Sequence, residues 1–260
     1  MKPFVLIRGG GDLASGVALR LHHAGFHVVI TELPRPLAVR RLVSFSEAVY
    51  EGQSTVEDAT ARLVQPGQIH ATLDAGDIPI LIDPNADILR TTQYAILIDA
   101  RLLKTPPPPL PTPVPLHIGL GPGFHAGRDC HAVIETRRSH TLGRVYWTGE
   151  TAPDSGQPDG DPRRVLRAPH AGRLVAHAEI GEHVEEGQLI AEIVDKVTRT
   201  QVHSPFKGVL RGLLRDGMDV TRGLKLGDVD SRDDPALCRL VSDKALAIAG
   251  GALEAILSKY

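Results

Sequence analysis

The chain has 260 residues, a net charge of −2 and a hydrophobic share of 42%. That is the balance of an ordinary globular protein with room for two modest cores. No basic stripe is present, so nucleic acid and anionic membranes do not suit it as main partners. Cys130 and Cys238, far apart in sequence, are the two cysteines, and no disulfide framework or zinc knuckle can be built from these alone, which predicts a reducing, cytoplasmic setting.

After Lys2 comes the apolar run Phe4–Ile7, too short for a signal peptide or a membrane span. It reads instead as a strand buried on both faces. Leu13, Val17, Leu21 and Ala24 then recur at helical spacing, Gly25 ends that helix, and His27 to Ile30 form the next strand. A further helix is predicted after Ser54, because Ser54 and Glu57 fit a capping box. Ile80–Asp83 and Ile96–Asp99 repeat the same four residues, Ile-Leu-Ile-Asp, as two more strands. Alternating strands and helices of this kind predict an α/β fold with a Rossmann-like parallel sheet over residues 1–104.

The first candidate site lies where the first strand ends. Gly9-Gly10-Gly11-Asp12-Leu13-Ala14 fits G-x-G-x-x-A. Gly9 permits the tight turn, Gly11 lets main chain approach a phosphate, and Ala14 lets helix pack on strand. The helix N-terminus then offers free N–H groups to an anion. Glu32 stands where an acid bonds a ribose hydroxyl, which predicts NAD(P) or another nucleotide as ligand. Arg35 keeps NAD and NADP both open. Asp12 sets a carboxylate beside the phosphate position, or caps the helix. Asp83 and Asp99 both end apolar strands, where ligands gather in open sheets. They read either as ligands of a metal or ribose, or as loop caps.

Residues 105–115 form a proline-rich connector. Residues 116–150 supply a glycine-rich loop and strands that complete the site. Within them Gly119–Phe124, with Gly121 and Gly123, could form a backbone nest for an anion. His125, Cys130, His131, Glu135 and His140 match no zinc spacing, so no metal site is assigned. Strand alternation would set His131 and Glu135 on one face and Cys130 on the other, and Cys130 reads as a small hydrophobe rather than a nucleophile. The two glycine loops are expected to serve one cleft, with Asp83 and Asp99 between them.

Residues 151–163 are a second linker by composition. Residues 164–230 then repeat with a shift of 36: Pro169 falls on Pro205, Gly172 on Gly208, Leu174 on Leu210, Gly181 on Gly217, Val184 on Val220 and Gly187 on Gly223. Neither copy can bury its apolar face alone, so the two are predicted to pack as one all-β module. The region resembles the biotinyl/lipoyl family, the barrel-sandwich hybrid. In carriers of that family a modified lysine sits at the hairpin between the halves. Matching on Ser204-Pro205 puts Val197 there, with Lys196 one residue off, which favours a structural or docking module over a carrier. Residues 231–260 are a C-terminal tail, helical from about Leu240 to Leu257 with an interruption at Gly250-Gly251.

Gly11–Gly16, Thr31–Pro34, Leu37–Arg41, Gly119–Phe124, Val133–Arg137, Ser204–Arg211 and Ser242–Ala247 together resemble the YqeB-type accessory proteins of the selenium-dependent molybdenum hydroxylase system. The resemblance implies a maturation role with a hydroxylase client and molybdopterin cofactor as cargo. The Rossmann-like half also resembles that of XdhC-type maturation factors. An NAD(P)-dependent oxidoreductase and a biotinyl/lipoyl-type carrier are the alternatives. Against the first, no Tyr-x-x-x-Lys or catalytic His–Asp pair is evident.

Overall fold

The apolar run Phe4–Ile7 becomes the central strand of the larger of two units. The computed structural model describes residues 3–158 and 160–260. Lys2 and, in the second linker, Asp159 lie outside the described residues. One unit comprises Met1–Pro36, Ser44–Ser155 and Val241–Tyr260, and the other Leu37–Val43 and Gly156–Leu240.

In the first unit, β1 (Phe4–Arg8) leads through the glycine turn into α1 (Asp12–His23) and β2 (His27–Glu32). Then come α2 (Ala48–Glu51), β3 (Gln53–Val56), β4 (Ala59–Leu63), α3 (Ile69–Asp74), β5 (Ile78–Ile82) and β6 (Ile96–Asp99). After the proline-rich segment follow β7 (Leu116–Leu120), β8 (His125–Ala126), β9 (Ala132–Ile134), β10 (Val145–Tyr146), β11 (Gly149–Glu150) and, from the end of the chain, α4 (Asp243–Leu257). One nine-stranded sheet runs in the order β10-β9-β7-β6-β1-β2-β5-β4-β3. Its strands from β4 to β9 are parallel, and both outer pairs are antiparallel. The direction of winding reverses between β1 and β6. Val5, Leu6, Ile7, Ile96, Leu97 and Ile98 are fully buried, as continuous apolar strands covered on both faces should be.

The helix expected after Ser54 is absent; the segment is the β3–β4 hairpin. Val56, Ala59 and Ala61 are buried while Thr55, Asp58 and Arg62 are exposed, a period-two pattern that outweighs the capping-box resemblance. Glu57 sits in the turn with φ of 54°, and its carboxylate accepts the Val241 N–H. The interruption expected at Gly250-Gly251 is absent too, since α4 runs through both. Gly251 is there because its Cα faces the Gly143 carbonyl, with no room for a Cβ. A Cβ on Gly16 of α1 would likewise meet Ala245 at 2.7 Å and Val241 at 2.9 Å.

The second unit holds β12 (Val165–Arg167), β13 (Gly172–Ala176), β14 (His183–Val184), β15 (Leu189–Val194), β16 (Arg199–His203), β17 (Gly208–Leu213), β18 (Asp219–Val220) and β19 (Lys225–Asp230). They form two four-stranded sheets, β12-β19-β17-β14 and β16-β15-β13-β18. Exchanging each strand with its counterpart in the other copy turns one order into the other, so each sheet takes two strands from each copy. The counterparts Leu174 and Leu210, Val184 and Val220, and Ile193 and Val229 all sit in one core. Gly172 and Gly208 lie against the carbonyls of Val194 and Asp230, themselves counterparts.

Residues 231–240, expected in the helical tail, belong to this β unit, and the helix begins at Asp243. Residues 37–43 belong to it as well. The Arg41 guanidinium donates to the Leu213 carbonyl (2.8 Å), and that of Arg40 donates to the carbonyls of Leu237 (3.2 Å) and Leu240 (3.0 Å). Val39 packs against Gly212.

Candidate functional site

The carboxyl edge of the large sheet collects most of the residues singled out from the sequence. Gly9 takes φ of +96°, a conformation that favours glycine, and turns the chain out of β1. Gly10 is packed tightly, since a Cβ there would meet the Ser46 nitrogen at 3.0 Å. Gly11 is open, with nothing within 4 Å of a Cβ position. It is also the N-cap of α1 and supplies no side-chain cap. The first N–H groups of the helix therefore have no acceptor from a capping side chain. Asp12 does not cap the helix; it lies in its first turn, favourable to the helix dipole. Ala14 is buried at the start of α1.

Glu32 reaches back to the same turn. Its Oε1 accepts the Gly10 N–H at 2.8 Å and its Oε2 the Leu33 N–H at 2.5 Å. Burial pushes the Glu32 carboxyl up from its ordinary value, against the pull of these two N–H groups. Ser15 Oγ donates to the Gly10 carbonyl (3.0 Å) and accepts the Phe45 N–H (2.8 Å), while the Ser46 N–H donates to the same carbonyl (2.9 Å). The turn is thus held on both sides before any ligand arrives.

Asp99 ends β6, the strand between β1 and β7, so it lies between the two glycine loops along one edge. It is fully buried and takes both forks of Arg101 (2.9 and 2.6 Å), with Arg8 at 3.7 Å. Asp83 does not lie between the loops: it follows β5, beyond β2. Its carboxylate accepts the N–H groups of Asp87 and Ile88 at 2.9 Å each, a loop cap. Arg8 donates to the Pro84 carbonyl (2.9 Å), and burial lowers its pKa, with Asp99 opposing that shift. His117 on β7 shares the face of Arg8 and Asp99 by register. Its Nε2 has no hydrogen-bond partner among the described residues. Burial first, then His131 and Arg8, lower its pKa to about 4 against Asp99. Arg8, Arg101 and His117 escaped the sequence reading. The one available signal was Arg8, a lone charge closing an apolar run.

The second glycine loop is packed against its own chain. The Gly121 N–H donates to the Ile134 carbonyl (2.9 Å), and Gly123 has the Thr105 main chain where a Cβ would stand. β9 covers only Ala132–Ile134, so Cys130, His131 and Glu135 do not alternate along a strand as expected. His131 Nδ1 accepts the His117 N–H (2.9 Å), and Glu135 accepts the N–H groups of Arg137 (2.7 Å) and Ala152 (2.8 Å). Burial raises the Cys130 thiol to about 12, which leaves it un-ionised at neutral pH. Among the described residues no group of three or more His, Cys, Asp or Glu is arranged to hold a metal. None of their helices is long and apolar enough to cross a membrane.

In the β module, Asp195–Thr198 joins β15 to β16. Asp195 Oδ1 accepts the N–H groups of Val197 (2.7 Å) and Thr198 (2.6 Å), and the Asp195 N–H donates to the Thr198 carbonyl (2.9 Å). Lys196 and Val197 are the two central turn residues, both exposed, Val197 to 95%.

Residues 164–229 match the family described as biotin-requiring enzyme, so the C-terminal module is biotin/lipoyl-like. Over 258 residues the chain is 43% identical to YqeB of Escherichia coli (strain K12), covering 97% of this chain and 47% of that protein. It is therefore homologous to YqeB over nearly its whole length and spans about half the length of that relative. Among solved structures, an aspartoacylase family protein from Mesorhizobium loti aligns with a TM-score of 0.29 and 8% identity, over 88% of this chain and 85% of that one. The ectoine utilization protein EutE (DoeB) from Ruegeria pomeroyi aligns with a TM-score of 0.29 and 11% identity over the same shares.

Proposed function

We propose that the first unit is a Rossmann-like fold that binds a nucleotide or a molybdopterin-type cofactor by its phosphate at Gly9–Ala14. On this reading the chain is an accessory factor for a selenium-dependent molybdenum hydroxylase, and the β module docks the client. The observation that carries it is the turn at the reversal of the sheet: open Gly11, an uncapped helix N-terminus and Glu32 in one place. The reversal itself, with β5-β2-β1 on one side and β6-β7-β9 on the other, supports it, because ligands of open α/β sheets gather at such points. Gly11→Val places a side chain in the phosphate position, where a Cβ meets nothing within 4 Å, so nucleotide affinity should collapse while the fold survives. Asp12→Asn should strengthen binding by removing a like charge. Equal calorimetric affinities in wild type and Gly11→Val refute the site. In the host, Gly11→Val should lower hydroxylase activity without lowering the amount of hydroxylase protein.

One observation favours a second reading, a carrier: Lys196 stands exposed at the tip of the hairpin. We favour docking, because Val197 takes the position expected for the modified lysine. Intact mass of protein from its native host should show no biotinyl or lipoyl increment; such an increment on Lys196 establishes the carrier.

A further inference from the structure

A cavity of about 370 Å³ opens at the carboxyl ends of β4 and β5, within the size range of small-molecule sites. Val64, Leu81, Ile82 and Ile88 form its apolar walls, and Gln65, Asp83 and Thr91 bring polar groups to it. Ile82 is 47% exposed although it ends a buried strand, so a large apolar side chain faces open space here. Tyr94 packs in the same cluster as Leu81 and Ile88. Its buried hydroxyl has no hydrogen-bond partner among the described residues.

The cavity adjoins the glycine turn through Glu32. Ile82 pairs with Glu32 across the β2–β5 ladder, and the Asp83 N–H donates to the Glu32 carbonyl at 3.0 Å. The Glu32 side chain in turn holds the Gly10 N–H. β1 and β5 are two strand spacings apart, about 10 Å, a span that a nucleoside monophosphate bridges. The polar groups are chiefly acceptors. Each Asp83 oxygen already takes one N–H and retains a further lone pair, and so does the Gln65 side-chain carbonyl, which takes the Gln68 N–H in a capping box. Apolar walls with an acceptor rim suit a flat ring bearing amino groups.

We propose that this cavity is the ring subsite of the phosphate-binding site, taking an amino-substituted heteroaromatic ring of the purine or pterin kind whose phosphate lies at Gly9–Ala14. This rests on the phosphate site proposed above. The test is calorimetry of the full chain with AMP, GMP and ribose 5-phosphate, the last lacking a ring. AMP or GMP should bind at least about tenfold more tightly than ribose 5-phosphate. Ile82→Arg, at an exposed position, extends a long cation into the cavity. It should bring AMP and GMP down to the ribose 5-phosphate level while leaving ribose 5-phosphate unchanged. Ile82→Ser, which adds no bulk, should cause a smaller loss in the same direction, and melting temperatures check that both variants fold. Gly11→Val should abolish binding of all three. Wild-type affinity for AMP and GMP in Ile82→Arg, or equal wild-type affinity for all three probes, overturns the ring subsite and leaves the phosphate site standing. Absence of binding by any probe to wild type overturns both.

Discussion

Gly250 and Gly251 are neighbours in α4, and the same substitution should act on them with opposite sign. A Cβ on Gly250 meets nothing within 4 Å. Replacing glycine by alanine in an open helix interior contributes about 0.5–1 kcal/mol. Gly250→Ala should therefore stabilise the unit by that amount, about 2–4 °C in melting temperature per kcal/mol for a domain of this size. Gly251→Ala gains the same propensity, but its Cβ would lie well inside contact distance of the Gly143 carbonyl oxygen, and 3.1 Å from Ile134 Cγ2. Backbone cannot swing aside as a flexible side chain can. Forced overpacking costs about 1–3 kcal/mol or more, so the net effect should be a loss of about 1–2 kcal/mol. The single tryptophan, Trp147, lies in this unit with the Lys259 ammonium 4.9 Å from its ring centroid. Its fluorescence during urea unfolding follows the unit that contains both glycines. A Gly251→Ala protein as stable as Gly250→Ala would refute the packing account of the unbroken helix.

Three further outcomes are expected. A fragment of residues 164–230 should fold alone with a β-type circular dichroism spectrum and no helical signal, since every buried residue of its core cluster lies within that range and only Val39 packs on it from outside; a disordered NMR spectrum would refute this boundary and show that the module needs chain beyond it. Asp228→Ala should destabilise the β module by about 3 kcal/mol, because it leaves Arg164, Arg211 and Lys225 around a buried gap, and urea unfolding followed by circular dichroism would show a shift below 1 kcal/mol if this is wrong. His117 is depressed from 6.5 to about 4, so only the unfolded chain takes up its proton between those values; stability should fall by up to roughly 3 kcal/mol as pH drops through that window, and His117→Leu should flatten the fall in unfolding curves measured at pH 7 and pH 4.5.

What the sequence disclosed divides by the range of the cause. The β1–turn–α1 unit was legible because glycine spacing, apolar periodicity and strand ends are local signals. The duplication was legible because counterpart residues must fill one core twice. The β3–β4 hairpin was misread because Ser54 and Glu57 satisfy a four-residue helix signal, while the deciding burial of Val56, Ala59 and Ala61 comes from the rest of the unit. Gly251 looked like a helix breaker because Gly143, its reason for being small, is more than a hundred residues away in sequence. Arg8, Arg101 and His117 carry no motif: the register of β1, β6 and β7 brings Arg8 and His117 to the face of Asp99, and Arg101 reaches it by an ion pair from beyond β6.

The segment 37–43 shows why the turn matters beyond its glycines. On one side of it the chain leaves Glu32, whose carboxylate holds the Gly10 N–H. On the other it returns through Phe45 and Ser46, whose N–H groups are taken by Ser15 Oγ and the Gly10 carbonyl. Pro36, the last residue before the segment, accepts the Tyr50 hydroxyl at 2.7 Å. Both ends of the excursion are therefore fixed near one peptide, while Val39, Arg40 and Arg41 are fixed within the β unit. A ligand that draws on the Gly10 N–H competes with the Glu32 carboxylate for it, while the Glu32 main chain stays held in β2, its carbonyl taking the Asp83 N–H.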